Sequence, residues 1–313
     1  NAEAAKDKPA LSLDAALKLY ERERLPFGSD STKRQLRINI ERLGTFLGRS
    51  PMSSDLTNDI VLEGMVKMRE SGLSPRTANK FRDNLLAVWR FLHQRRIVEN
   101  LPDVKPVNEP ERDPIAWSRE ELAKLWAACE SQRGLIGEVS ARLWWRTLHA
   151  VAWNTGERIS ALLGVSRIDV DVERGWIVVR AEHRKGKRAD QTSKLHPDTC
   201  KLLKDLLSAS SAPLVFPWPH RHEYLWPCYG RLLEKAGLPS DRQHKFHCLR
   251  KSAASWFEAA GGNAQQLLGH ADARVTQKYL DPRIVRTTHA SELLFQPGQV
   301  SVSAAGSESP QIR

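Results

Sequence analysis

The stretch ENLPDVKPVNEPERDP, residues 99–114, constrains this chain more than any other. It holds four prolines and little apolar content. Proline inside a helix removes a backbone donor and clashes with the preceding turn, and inside a sheet it removes a ladder bond. No regular element runs through such a stretch, so it reads as a linker and the chain must build two cores. With 313 residues, 41% of them apolar, each half has the material for one. The expected division is a flexible N-terminus at 1–9, a helical domain at 10–102, a linker at 103–116, a second domain at 117–295 and a disordered polar tail at 296–313.

Before the linker, apolar residues recur at helical spacing in four segments. In LSLDAALKLYERERL, Leu13, Ala16, Leu17 and Tyr20 share a face behind Ser12, a good N-cap type. STKRQLRINIERLGTFLG carries Leu36, Ile40, Leu43 and Leu47 and ends at Gly48. A third helix is expected through NDIVLEGMVKMRES, stopping near Gly72. The fourth starts at Ser74 as cap, with Pro75 at the first helical position. It turns Leu85, Val88, Trp89 and Leu92 inward and leaves Arg76, Lys80, Arg82 and Arg90 on the remainder. Four helices with short connections predict a small bundle.

After the linker, SREELAKLW opens the second unit with a capping box of Ser118 and Glu121. LWWRTLHAVAW is interrupted by Arg146 and His149 and reads as a buried helix. A membrane span needs roughly 20 apolar residues. GWIVVRAEHRKGKRADQTSKLHP offers β-branched residues, a basic turn and a second extended run, the pattern of a hairpin. Helical spacing returns from residue 235. The chain is therefore expected to be mostly α with a small antiparallel β-sheet.

Charge narrows the partners. A net charge of +11 and a pI near 9.7 point to a polyanion, of which nucleic acid is the commonest. An uncommitted basic surface is the plainer alternative. The four cysteines lie far apart, with no C-x-x-C pair to suggest zinc, and scattered thiols fit the cytosol. NAEAAKDKPA lacks the apolar core of a secretory leader. A cytoplasmic chain is expected, with no membrane partner, no metal and no other cofactor.

Four segments carry residues suited to chemistry. In NTGERISALLGV, Thr155 and Gly156 end one apolar helix and the next begins at once, with Arg158 expected in its first turn. Backbone amides and a guanidinium then converge as an anion site, or Arg158 is simply a surface arginine. In KFHCLRKSAASWF, His247 and Arg250 share a helix face at i, i+3, while Leu249, Ala253 and Trp256 face elsewhere and anchor the core. In LLGHADARVTQKYL, Gly269 breaks the helix ending in AQQLL and lets His270 project, and Tyr279 follows nine residues later. The hairpin tip EHRKGKRADQTSK bears Arg184, Lys185, Lys187 and Arg188. Residues 174–194 hold seven Lys/Arg against two acids, a net of +5. Such a hairpin can reach a DNA groove, although a charge run is usually a solvated face.

Taken in order, T-G-x-R-I-S, a basic hairpin lysine, H-x-x-R, L-G-H and a tyrosine nine residues on resemble the signature of the tyrosine recombinases. The resemblance to this phage-integrase family covers most of residues 10–295. It implies an N-terminal four-helix core-binding (SAM-like) domain at 10–102 and an α+β tyrosine-recombinase catalytic domain at 117–295. It implies Tyr279 as nucleophile, Arg158 and Arg250 as phosphate clamps, and His247 and His270 as groups that position the phosphate and assist proton transfer. Lys185 is the implied general acid, with Lys187 and then Lys194 as alternatives. DNA contacts are expected from Arg76, Lys80, Arg82, Arg184, Lys187 and Arg188. Two positions depart from the family: Ala161 stands where a glutamate is frequent, and Lys251 where a second histidine is frequent. Both bear on rate rather than on the type of reaction.

The chemistry explains the residue types. A phosphodiester opened by a hydroxyl passes through pentacoordinate phosphorus, whose non-bridging oxygens gain charge that two guanidiniums can hold. The resemblance implies a 3′-phosphotyrosine and a free 5′-hydroxyl, formed without ATP, metal or cofactor. It also implies double-stranded DNA with specific recombination sites as partner, and a homotetramer in the synaptic complex. IVRTTHASELLF, residues 284–295, is the candidate for a C-terminal segment exchanged between neighbours, with self-packing as the alternative. Two other functions compete: a relaxing enzyme like the type IB topoisomerases, and a sequence-specific DNA-binding protein that has lost catalysis.

Overall fold

Helix signals in the first hundred residues become four helices: α1 (Leu13–Arg24), α2 (Asp30–Leu47), α3 (Asn58–Glu70) and α4 (Pro75–Gln94). The computed structural model describes residues 10–186 and 189–285 and divides the chain into two compact units, Asn1–Glu111 and Arg112–Arg313. The expectations for residues 1–9, Lys187, Arg188, the tail at 296–313 and all but the first two residues of IVRTTHASELLF fall outside the described residues.

Each helix of the first unit starts at a hydroxyl that accepts a backbone N–H three residues on, namely Ser12, Ser29, Thr57 and Ser74. Gly48 ends α2 in the left-handed conformation, at φ +70°. The α4 helix is the centre of this bundle. Its buried face is wider than the four expected residues and adds Phe81, Leu86 and Phe91 to Leu85, Val88, Trp89 and Leu92. Leu13, Leu17, Ile40, Leu43, Val61 and Met65 close around it. The proline-rich stretch is irregular, as expected, yet its first half lies along α4. Trp89 Nε1 donates to the Asn100 carbonyl at 2.7 Å, and Asn79 exchanges two 2.8 Å bonds with Val107. An extended chain exposes its carbonyls and amides, and α4 presents side chains that satisfy them.

The second unit begins with α5 (Arg119–Glu130), whose capping box forms in both directions, at 2.8 Å and 3.2 Å. Next come the short pair β1 (Leu135–Ile136) and β2 (Val139–Ser140), then α6 (Ala141–Thr155) and α7 (Ile159–Leu162). A three-stranded antiparallel sheet follows in the order β3 (Val170–Asp171), β4 (Trp176–Val179) and β5 (Gln191–Lys194). The described residues continue through α8 (Pro197–Ser208), α9 (Leu225–Lys235), α10 (Phe246–Ala259), α11 (Ala264–Leu268) and α12 (Ala273–Gln277). The β4–β5 hairpin is the one expected, with Val179 opposite Gln191 and Trp176 opposite Lys194. The β1–β2 pair and β3 were not expected; two-residue strands carry too little pattern to read.

The expected buried helix is α6, with Trp144, Trp145, Leu148 and Val151 in the core, packed against α5, α8 and α10. Among the described residues no helix is long and apolar enough to cross a membrane. The α6 and α10 helices fix the ends from which the candidate site is built.

Candidate active site

The site starts where α6 stops. Gly156 takes a left-handed conformation at φ +61°, and a side chain there would press on Leu267 at 3.1 Å. The chain reverses, and Arg158 becomes the N-cap of α7 in an extended conformation, not a member of its first turn as expected. Its amide is taken by the Glu157 carboxylate at 3.1 Å, so this backbone donor serves the protein itself. Its guanidinium makes no hydrogen bond or ion pair among the described residues.

The α10 helix carries His247 and Arg250 one turn apart, as their spacing predicts. Arg250 is only 1% exposed. One terminal nitrogen donates to the Gly156 carbonyl, and the other to the Leu268 carbonyl at 3.1 Å. Its Nε has no partner among the described residues. Burial, then repulsion from Arg158, pushes Arg250 down to about 10, with Glu157 opposing; it remains a cation at neutral pH.

Gly269 ends α11 at φ +64°, and the chain turns to present His270. The tautomer of His270 follows from its partners. Arg250 Nη2 can only donate and lies 3.3 Å from His270 Nε2, so that nitrogen accepts. Nδ1 therefore holds the hydrogen and donates to Thr276 Oγ1 at 3.1 Å. Desolvation, then the charges of Arg250, Arg158 and Arg184, push His270 down to about 4. His247 keeps an exposed edge, yet crowding by protein and then the charges of Arg250, Lys251 and Arg158 push it to about 4 as well. Both rings are neutral near pH 7.

Tyr279 lies in the turn after α12, its amide bonded to the Thr276 carbonyl at 2.8 Å. Three site residues meet its ring. The His247 and His270 ring centroids are 5.2 Å and 4.9 Å away, and the Arg250 guanidinium carbon is 5.4 Å from its centre. Its backbone is tied to α10, because Ser255 Oγ donates to the Tyr279 carbonyl at 3.2 Å and accepts from the Asp281 amide at 2.9 Å. Asp281, wholly buried, accepts from the Ala116 amide at 2.8 Å.

Of the expected residues, His247, Arg250 and His270 each meet the Tyr279 ring, and Arg158 stands close enough to depress Arg250 and both histidines. Lys185 is exposed on the hairpin turn, beside Gly186 at φ +90°, and forms no hydrogen bond or ion pair with the others. Lys194 is held at the far end of β5, over the Trp176 ring and on the Arg174 carbonyl. Arg76 and Lys80 are exposed on α4. The guanidiniums of Arg82 and Arg184 bond to the protein's own oxygens. Arg82 Nε donates to the Val104 carbonyl at 2.5 Å, and Arg184 Nε to Glu157 Oε1 at 2.5 Å. Glu157, 1% exposed, escaped the sequence reading. Its one signal was an acid lying between the motif residues Gly156 and Arg158.

Known proteins resemble this chain in sequence and in fold. Residues 117–284 match the model of the phage integrase family. Tyrosine recombinase XerA of Thermococcus kodakarensis is 27% identical over 251 residues, covering 76% of this chain and 82% of the relative. Tyrosine recombinase XerC of Neisseria meningitidis serogroup C is 25% identical over 272 residues, covering 80% and 85%. A lambda integrase tetramer bound to a Holliday junction superposes with a TM-score of 0.70 at 19% identity, over 90% of this chain and 81% of that one. The Tn1549 transposon integrase in complex with a circular intermediate DNA gives 0.65 at 17%, over 85% and 94%. At such identities the structural likeness speaks for the fold alone.

Proposed function

The chain belongs to the phage integrase family, the tyrosine recombinases, and from that premise we propose that it cuts and rejoins double-stranded DNA at specific sites through Tyr279. The observation that carries this reading is the meeting of two neutral histidines and a buried arginine on one tyrosine ring. In the proposed step the Tyr279 oxygen attacks a backbone phosphorus. A P–O bond to tyrosine forms, and the bond to the 5′-oxygen breaks.

A phenol holds its proton at neutral pH, so that proton must leave during attack. The ring of His247 is neutral and its nitrogens have no hydrogen bond among the described residues, which suits it to receive the proton. His270 has its Nε2 lone pair on Arg250, which suits it to hold that guanidinium rather than to move protons. Arg158 and Arg250 offer planar guanidinium donors to the non-bridging oxygens. The leaving 5′-oxygen takes a proton from Lys185, the hairpin lysine closest to the family pattern. One phosphodiester replaces another, so a 5′-hydroxyl from a second strand can reverse the step with no energy source. The relatives' DNA complexes and the tetramer on a Holliday junction support the same partner and assembly for this chain, with the four-helix unit as its core-binding domain.

A supercoiled plasmid carrying two copies of the chain's own attachment sequence, recovered from the DNA flanking its gene, tests the function. Deletion or inversion of the interval between copies is expected, with no change in plasmids lacking the sites. Relaxation of any plasmid would instead favour a topoisomerase, and tight binding without strand cleavage would favour an inactive binder.

A further inference from the structure

Nothing in the reaction derived above uses Glu157, yet it lies at the centre of the charges. Its carboxylate receives the Arg158 amide at 3.1 Å and Arg184 Nε at 2.5 Å, and it lies 3.7 Å from Arg250 Nη1. An acid deprived of solvent is kept charged only by such partners. Arg184 continues the connection. Its Nη1 donates to the Ala189 carbonyl at 3.1 Å and its Nη2 to Gln191 Oε1. Gln191 Nε2 in turn donates to the Leu267 carbonyl at 3.0 Å, at the end of α11 that turns into His270. The hairpin, the Arg158 turn and the His270 turn are thus joined through one carboxylate.

The charges give this a purpose: Glu157 is the carboxylate paired with Arg184 and Arg250, two cations that crowd the same site as Arg158, whose repulsion depresses Arg250. We propose that Glu157 is a positioning residue that supplies the site's buried counter-charge, with Arg184 carrying its hold to the hairpin and the His270 turn. The proposal rests on the recombinase reading.

The test is the rate of covalent protein–DNA adduct formation at saturating duplex, with DNA affinity and thermal melting measured beside it. Glu157→Gln is expected to slow the adduct by about 10- to 100-fold, the scale of a catalytic group misplaced by an ångström, while DNA affinity stays within about threefold. Arg184→Gln is expected to slow it similarly, and the double variant to be scarcely worse than either single, because both break one interaction. The alkaline limb of the rate should move to lower pH in Glu157→Gln, because Arg250 loses the charge that raises it. Glu157, Arg158, Arg184, Arg250, Lys251, His247, His270 and Tyr279 are the charged or titratable groups around that limb.

A folded Glu157→Gln with the wild-type rate and profile overturns the inference, as do losses that simply add. Should Glu157→Gln fail to fold, Glu157→Asp and Arg184→Gln decide. The aspartate must keep most of the activity and Arg184→Gln must lose it; the wild-type rate in Arg184→Gln overturns the proposal. A wild-type chain that forms no adduct at all would overturn the recombinase reading, and this inference with it.

Discussion

Arg158 and Arg250 are both arginines at a proposed phosphate site, but they are held differently, and replacing each by lysine separates chemistry from stability. Either change is expected to cost on the order of 10²–10³ in cleavage rate, since a point charge cannot make a paired contact. Arg250→Lys should also lower the melting temperature, because the guanidinium bonds the Gly156 and Leu268 carbonyls inside the core. Arg158→Lys, with no such bonds, should melt like the wild type. Histidine protonation sets the acid behaviour. His149, 2% exposed and without a part in the proposed chemistry, is pushed down to about 4 by burial, against an ordinary 6.5. A folded pKa below the unfolded one means protons are taken up on unfolding. This stability is therefore fully present above about pH 6.5 and is lost as pH falls toward 4. The drop corresponds to about 3 kcal/mol, and His149→Gln should flatten that part of a stability–pH curve measured by denaturant titration.

At the scale of elements, the Gly269 turn is the most sensitive point. Its φ of +64° disfavours any side chain, and a Cβ there would collide with Arg184 and Gln191. Gly269→Ala is expected to cost roughly 1–3 kcal/mol of stability and most of the adduct-forming activity, read by melting and by gel. This turn was legible because its cause is local: a glycine, a helix ending at Leu268 and a histidine next in line. The caps at Ser12, Ser74 and Ser118 were legible for the same reason. What joins the elements was not. Glu157 meets Arg184 across 27 residues, and Asp281 meets the Ala116 amide across 165. No periodicity reports which distant groups share a hydrogen bond. The pairing of Arg184 was hidden on the same ground: seven cations in one hairpin region look alike in sequence, and the fold turns Arg184 onto the buried Glu157 and Arg180 onto the buried Asp169.

For the whole molecule, the division into two units at Glu111 and Arg112 follows the proline-rich stretch, and the net charge of +11 fits the proposed DNA partner. Binding is expected to weaken steeply with salt, log K falling by about 0.9 per decade of salt for each phosphate neutralised. A flat dependence in a fluorescence-anisotropy titration would contradict phosphate contacts by Arg76, Lys80 and the hairpin. The tyrosine assignment bears on everything else and can be read directly. The protein would be incubated with nicked duplexes cut from the DNA flanking its gene, quenched in SDS, and the adduct digested and sequenced by mass spectrometry. The proposed function predicts a nucleotide attached through its 3′-phosphate to the peptide containing Tyr279, and no adduct from Tyr279→Phe. A nucleotide on any other residue, or an undiminished adduct from Tyr279→Phe, would contradict it.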